Sequence, residues 1–293
     1  MWRGFGARHR PVPDLDTGEY FSLSGQQTPG CYTFQCLCVP LNGEPFLVIR
    51  GLEALNARAN TSIADIVSYD DAAVPAVALA ETLKSRGHSG KRVALDRNAW
   101  YFTVNIHERL TGAFGSFRDG SGVVEPLRRV KSPFELAQME KAAAANDAGM
   151  QAGLDAVLVG KSENDAAAAI MAATLSAGDE YVGMEPFVTS GPRSGIPHST
   201  WRRRRFVAGA VVILETAGCY NPDLARNMYP VCAEALAAGL EMLRPGQSCA
   251  DVHNAVQAVI DKAGFTDGYR TRSGYSMGVS FAPDWGEGNI LSL

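Results

Sequence analysis

The sequence predicts an α+β chain in two parts: a mixed α/β first half, then a second half built from a duplicated α-α-β-β unit. Three observations carry this. Short β-rich runs alternate with helical periodicity up to about residue 127. Ser132-Pro133-Phe134-Glu135 is a capping box with proline at the first helical position, and it opens a long Ala-rich helix. Beyond it, Gly153-Leu154-Asp155 returns as Gly239-Leu240-Glu241 at an offset of 86 residues.

In the first half, residues 31–40 (CYTFQCLCVP) and 45–50 (PFLVIR) read as strands, joined through Leu41-Asn42-Gly43-Glu44 as a hairpin. Residues 73–86 have helical periodicity, with Val74, Val77, Leu79 and Leu83 on the apolar side. Gly87-His88-Ser89-Gly90 ends that helix, and Arg92 to Leu95 resumes as a strand. A second helix is expected over Tyr101 to Thr111, and the start of the chain, rich in Pro and Arg, reads as loop.

The boundary falls between Glu125 and Lys131, giving domains 1–127 and 128–293. The long helix should run to about Val159 and stop at Gly160. Ser162-Glu163-Asn164-Asp165 opens the next helix, to about Ala177. Strands are expected over 184–189 and 207–217, with a short hairpin carrying Asp223 and Arg226. At the 86-residue offset Ala152 matches Ala238, Gly160 matches Gly246, Ser162 matches Ser248 and Asp165 matches Asp251, all without a gap. Helix end, Gly turn, Ser cap and second helix therefore form one unit used twice. Two such halves predict pseudo-twofold symmetry around a cleft.

Composition narrows the function classes. The chain has 293 residues and a net charge of −4, which excludes the strong basic field of a dedicated nucleic-acid binder. No apolar run reaches the ~18–20 residues of a membrane span, and Met1-Trp2-Arg3-Gly4 lacks the apolar core of a secretory signal. Six cysteines in a chain of this length do not make a disulfide framework, and Cys36-Leu37-Cys38 is too close for ordinary zinc spacing. A soluble, reduced, cytoplasmic protein is expected.

Of the five histidines, His9, His88, His107 and His253 fall in a terminal segment, a Gly turn and helices, where structural or solvated roles suit them. His198 differs, because it follows Ser190-Gly191-Pro192-Arg193-Ser194-Gly195-Ile196-Pro197, a loop stiffened by Gly and Pro after a strand. An imidazole held there can exchange a proton near neutral pH. Trp201 and the following Arg202-Arg203-Arg204-Arg205 read as a solvated turn. Glu215 puts a carboxylate at the end of the apolar run Val211 to Leu214, and for Asp223 and Arg226 an ion pair and catalysis both fit. Gly274-Tyr275-Ser276-Met277-Gly278 reads as a Gly-flanked strand, followed by Asp284-Trp285-Gly286-Glu287. Phosphate-loop, nucleophile-elbow and HExxH signatures are absent.

Taken in order, residues 127–135 (LRRVKSPFE), 186–192 (PFVTSGP) leading to His198, 211–221 (VVILETAGCYN) and 274–287 (GYSMGVSFAPDWGE) resemble the creatinase / methionine-aminopeptidase ("pita-bread") family, in its Xaa-Pro peptidase and creatinase branch. The first half, with Gln27-Thr28-Pro29-Gly30 to Pro40 as the best match, is similar to the family's smaller N-terminal domain. The resemblance implies a pita-bread C-terminal domain behind a creatinase-type N-terminal domain. It also implies a homodimer acting on a small molecule or a dipeptide, with no nucleic-acid or membrane partner.

The family holds two divalent metals on two Asp, one His and two Glu. Here Glu215 stands at the first Asp, and Arg226 at the second unless a shorter hairpin brings Asp223 there; Tyr275 replaces the His. The last two carboxylates belong to strands past Leu293, and the family's opening helix and strand are missing before Thr17, so both ends read as truncated. Glu215 and Asp223 are therefore weak metal candidates.

Creatinases dispense with metal and place a histidine at the position of His198, and the ectoine hydrolases share the Glu-x-Ala-Gly-Cys and Gly-Tyr-Ser segments. The resemblance thus implies hydrolysis of a C–N bond in a small amide, amidino or ectoine-like compound. His198 would be the proton shuttle, with Glu215, Arg270, Arg272, Tyr275 and Glu287 binding substrate and no cofactor expected. A peptidase bound to Mn, Co, Fe or Zn is the alternative, and a non-catalytic relative the third.

Overall fold

The computed structural model describes residues 12–14, 17–26, 28–99, 101–179, 185–215, 222–266, 269 and 273–274, of which 12–14, 17–19, 29, 31 and 222–230 as backbone. The chain divides into two compact units, Met1–Val130 and Lys131–Leu293.

The first unit is built on a four-stranded sheet: β1 (Val12–Asp14), β2 (Cys36–Val39), β3 (Phe46–Arg50) and β4 (Asp65–Tyr69), in that spatial order. The first two pairings are antiparallel and β3–β4 is parallel. The apolar runs of β2 and β3 are continuous because the sheet is covered on both faces. Phe46 and Val48 join Cys36 and Cys38 in one cluster, while Leu37, Leu47 and Ile49 join the opposite one. Fully burying each such side chain contributes about 1.5–3 kcal/mol. Cys36 and Cys38 lie on one face with their sulfurs 3.8 Å apart, not joined as a disulfide.

The helices of this unit are α1 (Thr17–Ser24), α2 (Ala54–Asn60), α3 (Pro75–Ser85), α4 (Val104–Phe114) and the single turn α5 (Glu125–Arg128). Tyr20 of α1 and Ala54 and Ala57 of α2 pack with Leu47; Leu79 and Leu83 of α3 and Leu110 of α4 pack with Phe46. A second, parallel pair joins β5 (Ala94–Leu95) to β6 (Arg118–Asp119).

Several expectations for this half need correction. The expected strand from Cys31 begins at Cys36, because Pro29–Tyr32 forms a 3-10 turn whose cap, Thr28, accepts from the Gly30 N–H. The chain start is not all loop: Val12 pairs with Val39 and Pro13 with Cys38. Proline is tolerated there because β1 is an edge strand, where a missing donor costs no ladder bond. Helix α4 starts three residues later than its periodicity suggested, where the Thr103 hydroxyl caps the Ile106 N–H. In α3 the buried face is Ala76, Leu79, Ala80 and Leu83, whereas Val74 precedes the helix and is exposed.

The second unit opens with α6 (Pro133–Ala156), whose Ser132–Glu135 capping box is fully formed, and α7 (Glu163–Ser176). Strands β7 (Val188–Ser190) and β8 (Val212–Leu214) pair antiparallel. Ile170, Val188, Phe206 and Leu214 form the core beneath. Then come α8 (Pro222–Met242) and α9 (Cys249–Lys262). Both strands are shorter than expected: 180–184 and 216–217 lie outside the described residues, and 207–210 is a turn about Gly209.

The duplicated pattern is structural. Ser162–Asp165 and Ser248–Asp251 are both complete capping boxes, and Gly160 and Gly246 both have left-handed backbones, φ 88° and 94°. The hairpin expected for Asp223 and Arg226 is absent, since α8 is helical from Pro222 onward. Proline suits a first helical position, and Leu224-Ala225-Arg226 are strong helix formers. Among the described residues no helix is long and apolar enough to cross a membrane.

Candidate functional site

The site grows from the β7–β8 pair. The ladder runs Val188–Leu214, Thr189–Ile213, Ser190–Val212, and it extends one step as the Glu215 N–H donates to the Phe187 carbonyl at 2.8 Å. That step sets the Glu215 carboxylate at the strand end. A 3-10 turn, Gly191–Arg193, leaves β7 and leads to His198. His198 has φ 52°, the one non-glycine residue with a left-handed backbone among those described. Such a residue costs conformational energy and persists where its surroundings fix it. Its exposed ring meets the edge of Phe187, centroids 6.1 Å apart at 63°.

His198 and Glu215 share one electrostatic environment. Burial pushes the Glu215 carboxyl above its ordinary value, and the positive charge of His198 acts in the opposite direction. Glu215 is a half-buried carboxyl at the strand end, and His198 an exposed imidazole on the loop that leaves the paired strand.

Beneath the loop lies Glu163, which sequence reasoning read as an ordinary first residue of a helix. Its side chain is fully buried. The Ser190 hydroxyl donates to Oε1 at 2.7 Å, the Arg193 guanidinium pairs with Oε2, and the Arg202 backbone N–H donates to Oε2 at 2.7 Å. Arg193 also donates to the Thr200 carbonyl at 2.6 Å. A buried acid must find its partners in the fold, so Arg193 on the following Gly/Pro loop was the available signal.

The run Arg202 to Arg205 is largely the solvated turn its charge suggested, with Arg202, Arg203 and Arg205 exposed, but it is also tied to the fold. Arg202 binds Glu163 through its backbone, Arg204 lies over Gly191, and Arg205 donates to the Gly160 carbonyl at 2.6 Å. Trp201 packs on the core of this half.

Of the other predicted site residues, Asp223 lies on helical backbone in α8, and Arg270, Arg272, Tyr275 and Glu287 lie outside the described residues, as does His9. His253, expected to be solvated or structural, hydrogen-bonds through Nδ1 to the Ser273 hydroxyl at 2.7 Å and stacks on Tyr269. Tyr269 reaches the same hydroxyl at 2.6 Å. His107 meets the edge of Phe102, and burial beside Lys91 and Arg86 holds His88 below its ordinary value. In the first unit a recess of about 380 Å³ opens where β3 and β4 end, but its polar groups are engaged. Arg50 pairs with Asp71, and the Tyr69 hydroxyl donates to the Phe34 carbonyl.

Comparison with known proteins gives this geometry a family. Residues 137–289 match Metallopeptidase family M24, and residues 19–130 match the Creatinase/Prolidase N-terminal domain. The ectoine hydrolase of Halomonas elongata is 28% identical over 302 residues, covering 90% of this chain and 75% of that protein. A Xaa-Pro dipeptidase of Lactobacillus helveticus is 24% identical over 278 residues, covering 88% and 75%. In fold, the crystal structure of the prolidase from Pyrococcus horikoshii superposes with a TM-score of 0.78 at 19% identity, covering 97% of this chain and 83% of that one.

A metallopeptidase centre needs several donors converging on one ion. Among the described residues no three His, Cys, Asp or Glu side chains do so. Of the two candidate ligands, Glu215 and Asp223, only Glu215 has a described side chain, which is too few donors for such a centre among the described residues. With more than half of its length inside the first match, the chain belongs to Metallopeptidase family M24, behind a creatinase/prolidase-type N-terminal domain.

Proposed function

We propose that this chain hydrolyses a C–N bond in a small amide, amidino or ectoine-like compound, with His198 as the proton shuttle. The observation that carries this reading is His198, in a left-handed backbone, with its ring against Phe187, the residue whose carbonyl accepts the Glu215 N–H at the end of the β7–β8 pair. The similarity to an ectoine hydrolase across most of the chain supports the substrate class.

In this mechanism the imidazole takes a proton from water as the new C–O bond forms at the carbonyl or amidino carbon. It returns that proton to the nitrogen as the C–N bond breaks. Glu215 orients the substrate's amine and stabilises the imidazolium formed midway. Its desolvated setting strengthens both contacts. Arg270, Arg272, Tyr275 and Glu287 complete the proposed binding set, and a homodimer is the proposed working form.

The test is a panel of ectoine, creatine and Xaa-Pro dipeptides, with products followed by mass spectrometry on dialysed protein with and without chelator. Hydrolysis of a non-peptide compound, unchanged by chelation, is the expected result. Xaa-Pro cleavage that disappears with chelator and tracks stoichiometric Mn, Co, Fe or Zn would replace the reading with a metallopeptidase. Inactivity across the panel would replace it with a non-catalytic relative.

A further inference from the structure

A carboxylate removed from water survives in a fold where charge and hydrogen bonds replace its hydration. Glu163 is the most deeply buried acid among the described residues. Each of its side-chain partners belongs to the segment that carries His198. Ser190 and Arg193 approach from the limb before the histidine, and the Arg202 N–H approaches from the limb after it. Arg193 ties the limbs a second time through the Thr200 carbonyl. The two ends of the loop are thus closed on one carboxylate, which is itself fixed by the Ser162 cap and by the Arg204 carbonyl accepting the Glu163 N–H at 2.9 Å.

We infer that Glu163 is a positioning residue: it clamps both limbs of the 190–202 loop so that His198 is held against Phe187 at the end of the β7–β8 pair. Closing a loop on a fixed point removes most of its conformational freedom. That constraint accounts for a non-glycine residue held at φ 52°. The catalytic consequence rests on the reading of His198 as the proton shuttle, whereas the clamp itself does not.

The experiment separates clamping from folding. The double variant Glu163→Met/Arg193→Met exchanges the buried ion pair for apolar side chains of similar volume, a replacement that folds often tolerate. Circular dichroism and urea unfolding report whether the fold persists. With 13C-labelled histidine, NMR then reads the ring-current shift that Phe187 imposes on His198, with no substrate required.

The expected result is a folded protein in which that shift collapses toward the value of a free histidine. Where a substrate turns over, kcat should fall roughly 100-fold, as for a misplaced catalytic group, with KM nearly constant. If the double variant does not fold, Arg193→Lys serves instead: it keeps the charge but cannot reach Glu163 and Thr200 together, and the shift should shrink in the same direction. An unchanged His198 signal in either folded variant overturns the clamp. Full turnover by His198→Ala would instead overturn the hydrolytic reading and leave the NMR result standing.

Discussion

Gly153 lies so close to Ile170 that a β-carbon on it would come within 2.5 Å of the isoleucine Cγ1. The equivalent pair in the second half, Gly239 and Val256, would meet at 2.8 Å. Both residues of the second pair follow those of the first by 86 positions. The duplication therefore preserves a helix–helix contact that a side chain would obstruct, as well as the turns and caps around it.

Gly153→Ala is expected to destabilise the protein. Overpacking costs about 1–3 kcal/mol, while the gain in helix propensity returns about 1 kcal/mol, so a net loss of about 1 kcal/mol should remain. Ile170→Ala removes the obstructing carbons, so the double variant should lose less than the two single losses combined. Urea midpoints of the four proteins in the cycle measure this.

The paired capping boxes make a pH-dependent prediction. Hydrogen bonds from the Ser162 backbone and hydroxyl hold Asp165 below the ordinary aspartate value, and those from the Ser248 hydroxyl and backbone do the same for Asp251. A carboxyl depressed in the folded state contributes stability above its unfolded pKa and loses it as pH falls through the folded value. The penalty for Asp165→Asn should therefore be full at neutral pH and fade below about pH 4. Ser162→Ala should cost about 1 kcal/mol at neutral pH. Urea unfolding at pH 7 and pH 3 distinguishes these outcomes.

The caps at Ser132, Ser162 and Ser248 were legible in the sequence because a capping box is local: four adjacent residues satisfy one another's backbone. The β2–β3 hairpin was legible because its strands are apolar throughout. Helix α2 and strand β4 were missed, since Ala54–Asn60 is short and Asp65 and Ser68 dilute the β signal of Asp65–Tyr69. Those elements form through tertiary packing, as in the burial of Ala54, Ala57 and Ile63 together. Glu163 was missed for a related reason. Its position beside a Ser cap suits a solvated helix start, and burial is decided by Ser190, Arg193 and Arg202, distant in sequence. At the site, the loop bearing His198 was legible from its Gly and Pro residues, whereas the clamp beneath it depended on pairing that no local pattern encodes.

Gly191 should be among the least replaceable residues of the loop. Its φ is 57°, and a β-carbon there would come 2.5 Å from the Arg204 guanidinium. Gly191→Ala combines left-handed strain with displacement of Arg204, and a loss of about 1–3 kcal/mol is expected. Thermal unfolding measures it. Arg204→Ala in the same background should relieve the steric part and leave the backbone part, so recovery should be incomplete.

Among the histidines, His198 alone should control turnover. The others that the structure describes are engaged elsewhere: His253 with Ser273 and Tyr269, His107 with Phe102, and His88 at a half-buried turn beside Lys91. His198 has its ring exposed on the loop that leaves β7, with its edge contact to Phe187. A C–N hydrolase must protonate its leaving nitrogen, and general acid–base groups contribute roughly 100-fold or more to that step. His198→Ala should therefore lower kcat by roughly 100-fold with little change in stability, because the ring's edge contact with Phe187 is a minor part of the core. His253→Ala should show the reverse pattern, losing about 1 kcal/mol of stability with its hydrogen bond while kcat stays within twofold, ~0.4 kcal/mol in barrier. Steady-state kinetics and urea unfolding on the two variants, taken together, assign the proton shuttle to one ring or remove it from both.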